Sequence, residues 1–296
     1  MADIRSLNKN GKPKGIVVAV GNQKGGVGKS TNTVHLAAAL GERGYRVLII
    51  DLDPTAGSTK LLGVETEDYQ GTVELLLGQG SIQDLAITEN MPKGVELVPA
   101  RMELSTLETQ LSKNRFLDKT SILDEPLKEA RKVYDYIFLD TPPSPWDVTT
   151  VAAYATTDWF LLSVFPQPLA IGGLTDAIND IAQVRKTKNR HLEVLGVIIC
   201  AVKRTSKLWE EIEGLIKTFF PGRGFDAVIS QSVVIERLSG EGKTLFQDKK
   251  LSKHKVADEY RALAKEIEYR TLNREKFLAK KPFREEKETR TANSRG

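Results

Sequence analysis

Short continuous apolar runs alternate along the chain with longer stretches of helical spacing. Gly15–Gly21 (GIVVAVG), Arg46–Ile50 (RVLII), Val95–Pro99 (VELVP), Tyr136–Leu139 (YIFL), Trp159–Val164 (WFLLSV) and Val194–Ala201 (VLGVIICA) are mostly apolar and rich in β-branched residues. Strands buried on both faces have this character. Between them, Ser30–Arg43 puts Val34, Ala37, Ala38 and Leu40 on one stripe and stops at Gly44. Met102–Lys113, Ile122–Lys132, Leu169–Lys186, Trp209–Phe219 and Val256–Tyr269 repeat the helical pattern. Apolar strands separated by helices predict an α/β fold, a mostly parallel twisted sheet with helices on both faces. No internal repeat and no Pro/Gly/Ser linker divides the chain. One domain over residues 15–270 is expected, with a short basic extension at 1–14 and a basic tail at 271–296.

Composition narrows this picture. At 296 residues and 40% hydrophobic content, the chain can bury a sizeable core. The single cysteine, Cys200, excludes an internal disulfide framework and a cysteine-cluster metal site. No apolar run approaches the roughly 20 residues that span a bilayer. The start, MADIRSLNKNGKPKG, has no apolar signal core. A cytoplasmic protein is therefore expected. The net charge of +4 is uneven: residues 1–14 carry +3 and residues 270–296 carry +5, which leaves −4 between them. The ends are either solvated or add affinity for a polyanion.

Residues 20–31, VGNQKGGVGKST, hold the first candidate chemistry. A phosphate loop of the form G-x-x-x-x-G-K-[ST] needs glycine five places before Gly28, and Gln23 stands there. The context is nonetheless strand, loop, helix start. Gly25, Gly26 and Gly28 let the backbone, with Val27 among them, curl its N–H groups inward, and the helix begun near Lys29 adds its N-terminal partial charge. Lys29 would reach the β- and γ-phosphates, Ser30 would ligate Mg²⁺, and Thr31 would help hold the α-phosphate. Lys24 is an extra ammonium that suits either solvent or a nucleotide on a second subunit. Asp51, Asp53 and Asp140 end apolar strands, where carboxylates coordinate Mg²⁺ or act as caps and turns.

These motifs resemble the ParA/MinD family of deviant Walker A ATPases. KGGVGKST is similar to its signature loop, IIDLDPTAGST (49–59) to its second motif, and YIFLDTPP (136–143) to its Walker B and switch II segment. PLAIGGL (168–174) and VVIERLSGEGKTL (233–245) fit more loosely. The resemblance spans residues 15–270 and implies a P-loop NTPase that uses ATP and Mg²⁺ in slow hydrolysis. It implies that Lys24 crosses a dimer interface to the partner's nucleotide, that Asp53 orients the attacking water, that Asp51 is the switch I aspartate near Mg²⁺, and that Asp140 is the Walker B aspartate. Thr55, Ala56 and Gly57 depart from the family's usual Gln-Gly-Asn, and Pro145 and Trp146 interrupt the segment after switch II.

The resemblance also implies an ATP-bound homodimer, nonspecific DNA binding on the nucleoid and a ParB-like adaptor that stimulates hydrolysis. Candidate DNA contacts are Lys203, Arg204, Lys207, Arg237 and Lys243, with Lys249, Lys250, Lys253 and Lys255 beside them. An N-terminal helix-turn-helix reader is not expected. The alternative is a MinD-like membrane switch, which needs an amphipathic C-terminal helix. The tail offers Leu272, Phe277, Leu278 and Phe283, with Pro282 between them, a thin apolar face, so this reading ranks second.

Overall fold

In the computed structural model, residues 15–112, 118–167, 170–203 and 208–280 are described. The six apolar runs are strands: β1 (Ile16–Gly21), β2 (Val47–Asp51), β3 (Val95–Val98), β4 (Tyr136–Asp140), β5 (Trp159–Val164) and β6 (Glu193–Ile199). They form one sheet in the order β3-β2-β4-β1-β5-β6. Every neighbouring pair is parallel. This is the doubly wound P-loop arrangement, and residues that alternate along a strand feed two separate cores. Val17 and Ala19 of β1 join one core, and Ile16, Val18 and Val20 the other.

The first core is closed by α3 (Thr72–Leu76), α4 (Ile82–Leu85), α5 (Leu107–Leu111), α6 (Asp124–Val133), α7 (Val148–Thr156), α8 (Ala170–Thr187) and α9 (Leu208–Phe219). On the opposite face lie α1 (Lys29–Glu42), α10 (Val233–Gly240), α11 (Lys255–Leu272) and α12 (Arg274–Lys280). The short α2 (Gly57–Leu61) follows β2 on that side. Because all strands run the same way, the loops after β1, β2, β4, β5 and β6 converge on one edge. That edge is where doubly wound sheets bind ligands.

Three boundaries differ from the sequence reading. The expected helix from Met102 is a 3₁₀ turn, Met102–Thr106, before α5. There Ser105 and Thr106 donate their hydroxyls to the carbonyls of Met102 and Glu103, three residues back, which favours the tighter turn. β6 ends at Ile199 instead of Ala201, since Ala201 takes a positive φ of 53°. The fold also continues past residue 270: α11 runs to Leu272, and α12 brings Phe277 into the core at 8% exposure.

Candidate nucleotide site

The phosphate loop leaves β1 at Gly21 and enters α1 at Lys29, as its sequence predicts. Gly28 caps α1 with φ 80°, a conformation that suits glycine. A Cβ on Gly28 would also press on the Phe165 ring and on Cys200 Sγ beneath it. Gly25 and Gly26 face open space. The Val27 carbonyl is fixed from below, where Ser163 Oγ donates to it at 2.6 Å. Ser163 in turn accepts from Asn32 Nδ2 at 2.8 Å, and Asn32 Oδ1 accepts from Tyr260 at 2.9 Å. This buried chain braces the loop against α11. Sequence reading missed it because its members lie up to 228 positions apart.

Lys29 is buried, and its Nζ donates to the Lys24 carbonyl at 3.2 Å. Burial holds its pKa below the usual lysine value, while Asp140 and Asp53 pull it back up. Ser30 follows on the first turn of α1, near enough to Asp140 to help hold its carboxyl down. A Cβ on Gly57 would collide with Ser30 Oγ, so the switch loop after β2 approaches Ser30 as closely as a glycine allows. Thr31, next along α1, is half-buried, and its carbonyl meets His35 Nδ1 at 2.9 Å.

Asp51 and Asp140 are register partners at the ends of neighbouring strands, both fully buried. Burial pushes Asp140 up to about 6, against hydrogen bonds from Ser30 and Ser58 and the charge of Lys29. Burial, then the charge of Asp140, pushes Asp51 up to about 8. Their oxygens are used differently. Asp140 Oδ2 accepts from Ser58 Oγ at 2.7 Å, and its buried Oδ1 has no hydrogen-bond partner. Asp51, expected near Mg²⁺, accepts at both oxygens: from the Asp53 N–H at 3.2 Å, and from the Thr59 N–H and hydroxyl at 2.9 and 2.7 Å. These bonds tie the loop after β2 to the strand end. Asp53 sits just above at 7% exposure, and its Oδ1 accepts from the Thr55 N–H at 2.9 Å and the Thr55 hydroxyl at 2.8 Å. Ser58 and Thr59 lie in the quoted motif IIDLDPTAGST, and two hydroxyls seven and eight places after Asp51 were the available signal for them.

Lys24 departs from the simple picture of a lysine reaching outward. It is half-buried, and its Cδ lies 3.7 Å from where a Cβ on Gly173 of α8 would stand. Its N–H donates to Asn22 Oδ1 at 3.0 Å. Gln23, in place of the usual glycine, donates Nε2 to Asp180 Oδ2 of α8 at 2.7 Å. The loop is thus tied to α8 on one side and to α11 on the other.

The DNA candidates are more scattered. Lys203, Arg237 and Lys243 are exposed, and Arg237 has Glu241 at 3.5 Å. Arg204 and Lys207 lie outside the described residues. Lys249, Lys250, Lys253 and Lys255 are exposed on the approach to α11, and Lys255 has Glu259 at 3.6 Å. Of the apolar residues that a membrane helix would need, Phe277 is buried and Leu278 packs on the same core. Phe283 lies outside the described residues. Among the described residues, no helix is long and apolar enough to cross a membrane.

A buried carboxylate with a spare oxygen, a serine close to it, a lysine beside them and a glycine loop on a helix start form a donor set that fits a nucleoside triphosphate with a hard divalent cation. The AAA domain family matches residues 15–194. The chromosome partitioning protein ParA of Caulobacter vibrioides is 32% identical over 263 residues, 88% of this chain and 96% of that one. The chain belongs to the ParA/MinD family of P-loop ATPases. A solved plasmid partition protein of Borrelia burgdorferi bound to AMPPNP superposes with a TM-score of 0.68 at 26% identity, covering 85% of this chain and 97% of that one. Cobyrinic acid a,c-diamide synthase of Mycobacterium smegmatis, with an ATP analogue and magnesium bound, reaches 0.71 at 25% identity, over 84% and 93% of the two chains.

Proposed function

We propose that this member of the family is a ParA-like positioning ATPase. Bound to ATP it closes a sandwich dimer and holds DNA without sequence preference, and an adaptor of ParB type releases it by stimulating hydrolysis. Its place is the nucleoid of the cytoplasm. The observation that carries the reading is Asp140 Oδ1, buried and without a partner beside Ser30 and Lys29. A buried carboxylate oxygen that no protein group satisfies is built for a ligand that does.

ATP and Mg²⁺ are the ligands. Ser30 and Asp140 would hold the metal, which when bound neutralises charge developing on the phosphates. Lys29 exchanges its bond to the Lys24 carbonyl for the phosphate oxygens. Asp53 orients the water in line with the γ-phosphate, and Asp51 keeps the switch loop in register for it. Lys24 leaves Gly173 and reaches the nucleotide of the second subunit.

The test is Asp53→Ala assayed beside wild type by light scattering and DNA gel shift. With ATP, the variant is expected to persist as a dimer that retains DNA, while wild type returns to monomer as ATP is consumed. Lys24→Ala should bind ATP as a monomer and fail to dimerise. An Asp53→Ala protein that stays monomeric with saturating ATP overturns the reading. The buried position of Phe277 favours DNA over a membrane as the dimer's support.

A further inference from the structure

We propose that the edge of the sheet opposite the phosphate loop is a second contact surface for the phosphate backbone of nucleic acid, one that works without nucleotide. α8 runs from the phosphate-loop edge down to the opposite edge and turns there into β6. The connecting run 181–192, IAQVRKTKNRHL, holds Arg185, Lys186, Lys188 and Arg190 and no acidic residue. Arg185 pairs with Glu193 at 3.2 Å. Lys186, Lys188 and Arg190 are exposed, and among the described residues no carboxylate forms an ion pair with them. Asp118 is near enough to Lys188 to feel its charge.

α12 packs at this edge. Arg274 of α12 donates Nη2 to the His191 carbonyl at 2.9 Å, and its guanidinium lies 4.4 Å over Trp159. Phe277 sits between the guanidinium groups of Arg223 and Arg270, at 4.4 and 5.0 Å. α12 is therefore locked beside the α8–β6 turn. On the other side, β1 begins at the same edge two strands from β6, about 10 Å away. Three exposed cations thus stand together on one edge of a chain whose middle is acidic.

The turn itself is Lys-Thr-Lys-Asn-Arg-His, polar throughout. It has charge for a phosphate backbone and no bulky apolar side chain to insert into lipid. Because the surface lies across the sheet from the nucleotide, its affinity is set by salt and not by ATP.

The test uses the full chain, freed of nucleotide and metal by EDTA, with a mixed-sequence DNA duplex read by fluorescence anisotropy. Three to five phosphate contacts should weaken binding about 10²-fold between 50 and 200 mM salt. Lys186→Glu/Lys188→Glu/Arg190→Glu should bind at least about 10-fold more weakly at 50 mM salt, with its DNA-free ATP turnover and the ATP-dependent gain in DNA binding kept. Absence of binding without ATP, equal binding by the triple variant, or tighter capture by phosphatidylserine vesicles than by DNA overturns the proposal. Salt-sensitive binding with no ATP-dependent gain in either protein would support this surface and refute the ATP-gated DNA binding proposed above.

Discussion

At the N-terminal edge of the sheet, Asp158 accepts from the Val17 N–H at 2.9 Å and from Arg131 at 2.7 and 3.2 Å, and Asp135 accepts from the Arg46 N–H at 2.8 Å. At the C-terminal edge, Asp51 and Asp140 lie side by side without a paired guanidinium, and Asp140 keeps an unsatisfied oxygen. The residue type is the same, and so is the place at a strand end. The first pair stabilises the chain; the second costs stability until a ligand arrives. What marks the functional aspartates is unspent hydrogen-bonding capacity in a buried place.

The largest expected effect comes from exchanging these roles by mutation. Asp140→Ala should lower ATP turnover by about 10² or more, since it removes a metal-side carboxylate. It should leave the unfolding midpoint unchanged or raised, because a buried like-charge pair is relieved. Asp158→Ala should do the reverse. It strands the Val17 N–H and half-buried Arg131, costing about 2–4 kcal/mol by urea unfolding, with ATP affinity intact. Equal losses of stability at both edges would erase the distinction.

Much of this was legible in the sequence, and for a physical reason. Strands buried on both faces have to be continuous and apolar, so all six were visible and the fold class followed. The phosphate loop was visible because its glycines and Lys29 are adjacent in the chain. What stayed hidden depends on distance in sequence. That Asp51 would accept from Thr59 and Asp53 while Asp140 kept an unpartnered oxygen could not be read from two strand-end aspartates. The brace from Tyr260 through Asn32 to Ser163, and the tether from Gln23 to Asp180, join residues more than a hundred positions apart. The tail boundary failed because Phe277, which reads as the face of a surface helix, is held by arginines from elsewhere in the fold.

Protonation gives the next test, in metal-free protein. The folded pKa values of Asp51 and Asp140, about 8 and about 6, lie above the ordinary 3.8. The folded state therefore holds more protons than the unfolded chain between about pH 4 and 8, and stability falls as pH rises through that window. His35 has the opposite sign. Burial pushes it down from 6.5 to about 4, partly offset by the Thr31 carbonyl, so the unfolded chain takes its proton first. Its contribution is lost as pH falls from about 6.5 to about 4. Below about pH 6 the two carboxylates outweigh the one imidazole, so urea midpoints in EDTA should fall from about pH 4 to about pH 8, with a near-level stretch around pH 6 to 6.5. Asp140→Asn should make the fall shallower below about pH 6, and His35→Phe, which keeps the stack on Tyr260, should make it steeper between about pH 4 and 6.5. A midpoint that climbs steadily from pH 6 to 8 would show that the carboxylate pair is not the strained element.

The smallest effect concerns strain in the backbone of the same edge. Ala56 caps α2 at φ 55°, in the left-handed region, where the family pattern has glycine. An alanine there costs roughly 1–2 kcal/mol relative to a relaxed conformation. Glycine removes that cost but makes the unfolded chain freer by about 0.4–1 kcal/mol. Ala56→Gly should therefore stabilise by about 1 kcal/mol at most, a rise of roughly 2–4 °C in Tm. The switch loop that carries Asp53 would be the segment relaxed. If the strain serves only to set that loop's resting shape, basal ATP turnover should change less than about 3-fold. A larger change would mean that the strain in Ala56 is part of how the loop meets the nucleotide, and would add a backbone feature to the unspent carboxylate that sets this edge apart.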